Sequence, residues 1–190
     1  MPRLLLAALA AGLISIAGCK SLPVPDARPG QDPTFAEAES AYLAGRFAAA
    51  RTAYTRFLAS PAAPAYAPEV YLRIGTCHLR EGQPAPALEA LRRALPDAAF
   101  PWLSAEILAA TGDAYVLTGD LAHAESAYRR ALETAPRDIR EAEVRRSLAG
   151  VLARQGRWDD ARQEFAQVAA RFPASPHAPV AAERAALTDR

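Results

Sequence analysis

The chain has 190 residues, 22 basic and 21 acidic, for a formal net charge of +1 at neutral pH. It therefore carries no basic field to hold nucleic acid or an anionic lipid surface. At 51% hydrophobic and 23% charged residues it is too apolar for a disordered chain, and its length fits one domain or one short array of repeats.

The N-terminus opens with Arg3 followed by an apolar stretch from Leu4 to Ala17. A membrane-crossing helix needs about 20 residues, so this shorter stretch reads as the core of a secretory signal segment, residues 1–18, outside the fold. It ends in Ile16-Ala17-Gly18-Cys19, which resembles the lipobox of bacterial lipoproteins. The resemblance implies cleavage before Cys19 and a diacylglycerol on its sulfur, anchoring the chain to a membrane. The alternative is an ordinary signal peptide with an incidental cysteine. Lys20 rather than aspartate follows Cys19; by the sorting rule of enteric lipoproteins, this implies the periplasmic face of the outer membrane. With Cys19 lipidated, Cys77 has no partner for a disulfide. Residues 19–33 carry Pro23, Pro25, Pro29 and Pro33 and read as a tether of polyproline character, reaching at most ~45 Å at about 3.1 Å per residue.

From residue 34 the chain repeats itself. Gly45, Gly82, Gly119 and Gly156 recur every 37 residues. Seven residues before each stands a small residue: Ala38, Gly75, Gly112 and Ala149. Five after each stands alanine (Ala50, Ala87, Ala124, Ala161), and nine after each a large apolar one (Tyr54, Leu91, Tyr128, Phe165). Pro61, Pro96, Pro136 and Pro173 close the units. Two antiparallel helices that approach to backbone contact require small residues where they cross, and glycine at the end of a helix supplies a left-handed backbone. The residue nine after the glycine is expected to fill the space between neighbouring units. One such hairpin cannot bury its own apolar face, so the four units must stack.

This pattern resembles the tetratricopeptide repeat, most closely in "LAATGDAYVLTGDLAHAESAYRRALETAP" from Leu108 to Pro136. The resemblance implies an all-α, right-handed superhelical solenoid with four helix-turn-helix units over residues 34–173. Residues 174–190 are expected to form a capping helix with a polar exit through Glu183, Arg184 and Asp189. The usual period is 34; the three additional residues are assigned to the junctions, as in "SPAAPAYAP" and "FPASPHAP".

Catalytic constellations are not found: no GxSxG, phosphate loop, HExxH or dinucleotide fingerprint occurs. No metal site or cofactor is expected. His78 is read as a core or near-core imidazole, His123 as facing solvent and His177 as a junction residue. Cys77 is read as a buried inert thiol. Trp102 is assigned to packing against the preceding second helix, with partner docking as the alternative, and Trp158 to the core. Glu125 is expected to face solvent.

In tetratricopeptide arrays the first helices line a concave, peptide-binding face. By that resemblance the groove comprises Phe35, Glu39 and Tyr42 in the first unit, and Leu72, Arg73, Thr76, Leu79 and Arg80 in the second. The third contributes Ala109, Asp113 and Val116, and the fourth Arg146, Gly150 and Arg154. Arginine can grip a carboxylate through two parallel hydrogen bonds, so acidic or C-terminal peptides fit the lining; the alternative is a merely solvated helix face. The chain has no asparagine, so the asparagine-dependent carboxylate clamp of chaperone-binding relatives is absent. Lipobox plus repeats resembles the lipoprotein of the outer-membrane β-barrel assembly machinery, and the repeats are similar to those of the Tol-Pal coordinator. The implied role is a non-catalytic scaffold that binds envelope proteins or peptides. The alternatives are a pilotin-like or secretion-system assembly carrier, or an enzyme accessory subunit.

Overall fold

The computed structural model describes residues 32–95, 100–134 and 140–186. The signal segment, Cys19 and the tether up to residue 31 lie outside these residues, as do Pro96, Pro136 and Asp189. Among the described residues there are nine helices and no strand. They are α1 Pro33–Leu43, α2 Phe47–Phe57, α3 Ala63–Arg80, α4 Pro84–Ala94, α5 Pro101–Thr118, α6 Leu121–Thr134, α7 Glu141–Arg154, α8 Trp158–Arg171 and α9 Ala178–Ala186. The first eight pair as four antiparallel hairpins, and each second helix packs on the first helix of the next unit. The chain is all-α, built as a repeat solenoid. None of the described helices is long and apolar enough to cross a membrane.

The repeat glycines end the first helices in one way four times over. Gly45, Gly82, Gly119 and Gly156 have φ of 72°, 68°, 79° and 79°. In each turn the glycine N–H donates three residues back and the next N–H five back, as in Gly45 to Tyr42 and Arg46 to Ala41, both 2.9 Å. This is the Schellman arrangement, which satisfies helix carbonyls that would otherwise lack partners. Proline at the first or second position opens α1, α3, α4 and α5, where its missing N–H costs nothing. Asp32 caps α1 by accepting from the Thr34 N–H at 2.8 Å.

Within each hairpin the large residue lies on the small residue of its own unit. A Cβ on Gly112 would sit 2.6 Å from Cε1 of Tyr128, and one on Gly75 would sit 2.8 Å from Cγ of Leu91. These large residues seal the crossing inside one unit and, as expected, also fill the space towards the next: Leu91 shares a core with Leu103 and Ile107, and Tyr128 with Val144 and Leu148. Ala50, Ala87, Ala124 and Ala161 are all buried.

The longer period falls in part differently from expectation. In "SPAAPAYAP" the helix already runs from Ala63, and α3 and α5 each span 18 residues. In α3 and α5 the additional residues lengthen the first helix at its N-terminal end, with Pro64 and Pro101 in first turns, where proline is tolerated, and Pro68 inside α3; in "FPASPHAP" residues 172–177 stay outside the helices, as expected. Ion pairs tie the units together: Arg51 with Glu81, Arg73 with Glu39 at 3.2 Å, Arg140 with Glu106 at 2.6 Å and Arg157 with Glu125 at 2.8 Å. Glu125 is therefore no solvent-facing site. Glu141 is buried between Arg145 and Arg171.

Candidate functional site

Because α1, α3, α5 and α7 lie on one side of the stack, side chains spaced three and four residues apart on each face a common groove. The groove encloses about 640 Å³. Of the residues expected there, Tyr42, Leu72, Arg73, Thr76, Leu79, Arg80, Ala109, Asp113, Val116 and Arg146 line it. Phe35, Glu39, Gly150 and Arg154 do not. Phe35 turns into the first unit, edge-on to Phe57 and Tyr54 with ring centres 5.2 and 6.0 Å away. Glu39 stands behind the groove wall, accepting from the Tyr54 hydroxyl and pairing with Arg73. Gly150 is half-buried and Arg154 is exposed at the end of α7.

The groove also takes Glu106, Leu117, Arg140, Glu143, Val144, Ser147 and Tyr128, which sequence reasoning missed. Glu106 and Glu143 each stand thirteen residues before a repeat glycine, continuing the same helical stripe by one more turn. The repeat spacing alone starts the first helices a turn too late and so hides them. Leu117 occupies the position of Arg80 and Arg154, two residues before the glycine, so the repeat itself could have revealed it. Tyr128 comes from a second helix and is buried, yet its hydroxyl emerges to donate to Asp113 at 2.6 Å.

The groove charges fall into two sets. Arg73 is engaged by Glu39 and lies over the Tyr42 ring at 5.3 Å; Arg140 is engaged by Glu106. Among the described residues Arg80 and Arg146 form no ion pair, although both act on Asp113 through space. The Asp113 carboxylate meets groove water but is walled by protein. That partial desolvation raises its pKa above the usual aspartate value, helped by Glu143 and opposed by the Tyr128 hydrogen bond and the two arginines. Burial, with the Asp113 charge, pushes the Tyr128 phenol well above its usual range, so it remains a fixed donor. Apolar Leu72, Leu79, Val116 and Val144 floor the site. The arrangement can seat an amphiphilic segment, gripping acidic groups with Arg80 and Arg146 and basic or N–H groups with Asp113 and Glu143.

Elsewhere, Cys77 is buried and free, its pKa pushed up to about 11 by burial. His78 is half-buried rather than core, bonded through Nδ1 to Gln83 at 2.8 Å; it looks outward because the groove side of α3 is taken by Arg73, Thr76 and Arg80. His123 is exposed against Asp120 at 2.7 Å, and its own N–H is capped by that carboxylate. Trp102, 48% exposed, stacks on Phe100. Trp158 is 60% exposed and not in the core. It opens α8, whereas α9 packs on Phe165 and Val168 about two turns further along and leaves it bare. Among the described residues no cluster of histidine, cysteine and carboxylate side chains could hold a metal.

The profile of the family described as "Tetratricopeptide repeat-like domain" matches residues 30–148, and that of a second, "Tetratricopeptide repeat", matches 115–183. No curated protein matches the sequence. Among solved structures, the MamA protein is similar over 80% of this chain and 80% of its own, at 21% identity and a TM-score of 0.60. A tetratricopeptide repeat protein from Parabacteroides merdae ATCC 43184 is similar over 80% of this chain and 57% of its own, at 16% identity and a TM-score of 0.65. The first such domain of Spaghetti (RPAP3), bound to the HSP90 peptide SRMEEVD, is similar over 64% of this chain and 89% of its own, at 18% identity and a TM-score of 0.54.

Proposed function

Since the chain belongs to the tetratricopeptide repeat family, whose members mediate protein–protein interaction, we propose that it is a lipid-anchored adaptor of the bacterial cell envelope that holds a segment of another envelope protein in its concave groove. The observation that carries this reading is the pair Arg80 and Arg146, without ion-pair partners among the described residues, flanking Asp113 over an apolar floor shared by three units. A solvated helix face would not need that floor; a binding face does. The RPAP3 domain, which has this fold, is bound to the HSP90 peptide SRMEEVD, which supports a peptide segment as the ligand here. The lipid anchor rests on the lipobox at Ile16 to Cys19, and a role in outer-membrane protein assembly or envelope organisation rests on the resemblance of lipobox plus repeats.

Two measurements test the reading. A photo-crosslinking residue at Ala109, in the groove, should capture envelope proteins in the native cell, and one at exposed Glu133, on α6, should not. Arg80→Glu combined with Arg146→Glu should remove that capture. Equal yields at the two positions would sink the groove assignment. Independently, Cys19→Ser should release the chain from the membrane fraction; retention of the variant there would refute the anchor.

A further inference from the structure

The upper rim of the concave face, where each first helix meets its glycine turn, carries a pattern that the fold does not require. Two residues before each repeat glycine stand Leu43, Arg80, Leu117 and Arg154: apolar, basic, apolar, basic. Leu43 is 82% and Leu117 53% exposed. Both arginines are exposed, and neither makes an ion pair among the described residues. The glycine turn does not need them, because the apolar contact of its capping motif falls at other positions. Helix-dipole compensation accounts for an arginine near a helix C-terminus, but not for exposed leucine at the same position in the alternate units.

From this we infer that the rim Leu43–Arg80–Leu117–Arg154 is a docking strip for an acidic amphipathic helix of a partner protein, laid across the four first helices. The inference rests on the reading of the concave face as a binding surface and specifies what seats there. Among the first helices α3 touches α5 and α5 touches α7; helices in contact lie about 8–10 Å apart, and seven residues of α-helix rise about 10.5 Å. A helix with apolar and acidic side chains alternating at heptad intervals therefore meets leucine with leucine-like groups and arginine with carboxylate. An extended strand does not: three residues also cover about 10 Å, but an odd step turns successive side chains to opposite faces.

The test uses the full chain in phosphatidylcholine nanodiscs and a labelled 28-residue helical peptide, read by fluorescence anisotropy. The peptide carries leucine, glutamate, leucine and glutamate at the first position of successive heptads in an alanine–glutamine background. It should bind at least tenfold more tightly than an isomer ordered leucine, leucine, glutamate, glutamate. Arg80→Glu with Arg154→Glu should abolish binding and transfer the preference to the lysine-for-glutamate peptide. Leu43→Ser with Leu117→Ser should weaken binding at least tenfold, and melting curves of these surface variants should match the parent. Absence of binding, equal binding of the two isomers, or variants that bind like the parent would each overturn the strip. Native-cell capture through Ala109 that survives Leu43→Ser with Arg154→Glu, the two rim positions outside the groove lining, would remove the strip while leaving the groove reading standing; absence of the Ala109 capture in the parent chain would remove the groove reading itself.

Discussion

At the scale of single residues, two groups set clear expectations. Gly119 has φ 79° and open space around its missing Cβ, so a side chain there meets backbone strain and no clash. Gly119→Ala should cost about 1–2 kcal/mol in chemical unfolding, and Gly119→Asn distinctly less, since asparagine tolerates the left-handed region. A cost as small as that of a surface substitution would show that the turn is not held as described. Asp113 gives a pH dependence. Its pKa is raised in the fold, chiefly by partial desolvation, so between its unfolded and folded values the native state holds the extra proton, and stability falls as pH rises through the folded value. Asp113→Asn keeps the acceptor for Tyr128 and removes the charge. The variant should melt above the parent at pH 7, and the gap should close as pH falls through the folded value towards the usual aspartate range. A gap that widens on acidification would reverse the assigned sign. The four glycines were legible because their conformation depends on one residue type alone. Trp158 was not, because its exposure depends on where α9 packs against the fourth unit.

At the scale of elements, the crossing is the sensitive feature. Ala124 is fully buried on α6, and enlarging it forces apart two helices whose separation the small residues set. Ala124→Leu should cost on the order of 1–3 kcal/mol through overpacking, whereas Glu133→Gln on the exposed face of the same helix should stay within about ±0.5 kcal/mol. Matching thermal melts for the two would contradict the register. Helix pairing was readable because small and large residues return at a fixed interval, and four copies leave no second register. Helix length was not: α3 starts within a proline-rich phrase that reads equally as loop, and only packing of Val70 and Leu72 against neighbouring helices decides that it coils. That shortfall of one turn also hid Glu106 and Glu143, the acidic edge of the groove.

At the scale of the whole molecule, stability should be shared unevenly along the stack, because each unit contacts only its neighbours. The second face of the fourth unit is closed by α9, which packs on α8 and shares a core with Phe165 and Val168. Ending the chain after Phe172 would return that face to water. Fully exposing a buried Val or Phe costs about 1.5–3 kcal/mol each, so the shortened chain should lose on the order of 3–6 kcal/mol locally. The loss should not spread evenly. Hydrogen exchange should quicken in α8 and in α7, the latter around Val151 and Leu152, while amides in α3 around Val70 and Cys77 keep their protection, since their partners belong to the first unit. Groove affinity should then fall most for contacts made by Arg146 on α7 and least for those made by Arg80 on α3. If protection were lost equally along the chain, the units would be folding as one cooperative body. The alternation of the rim residues would then have to be read against a single rigid surface instead of a stack of semi-independent hairpins.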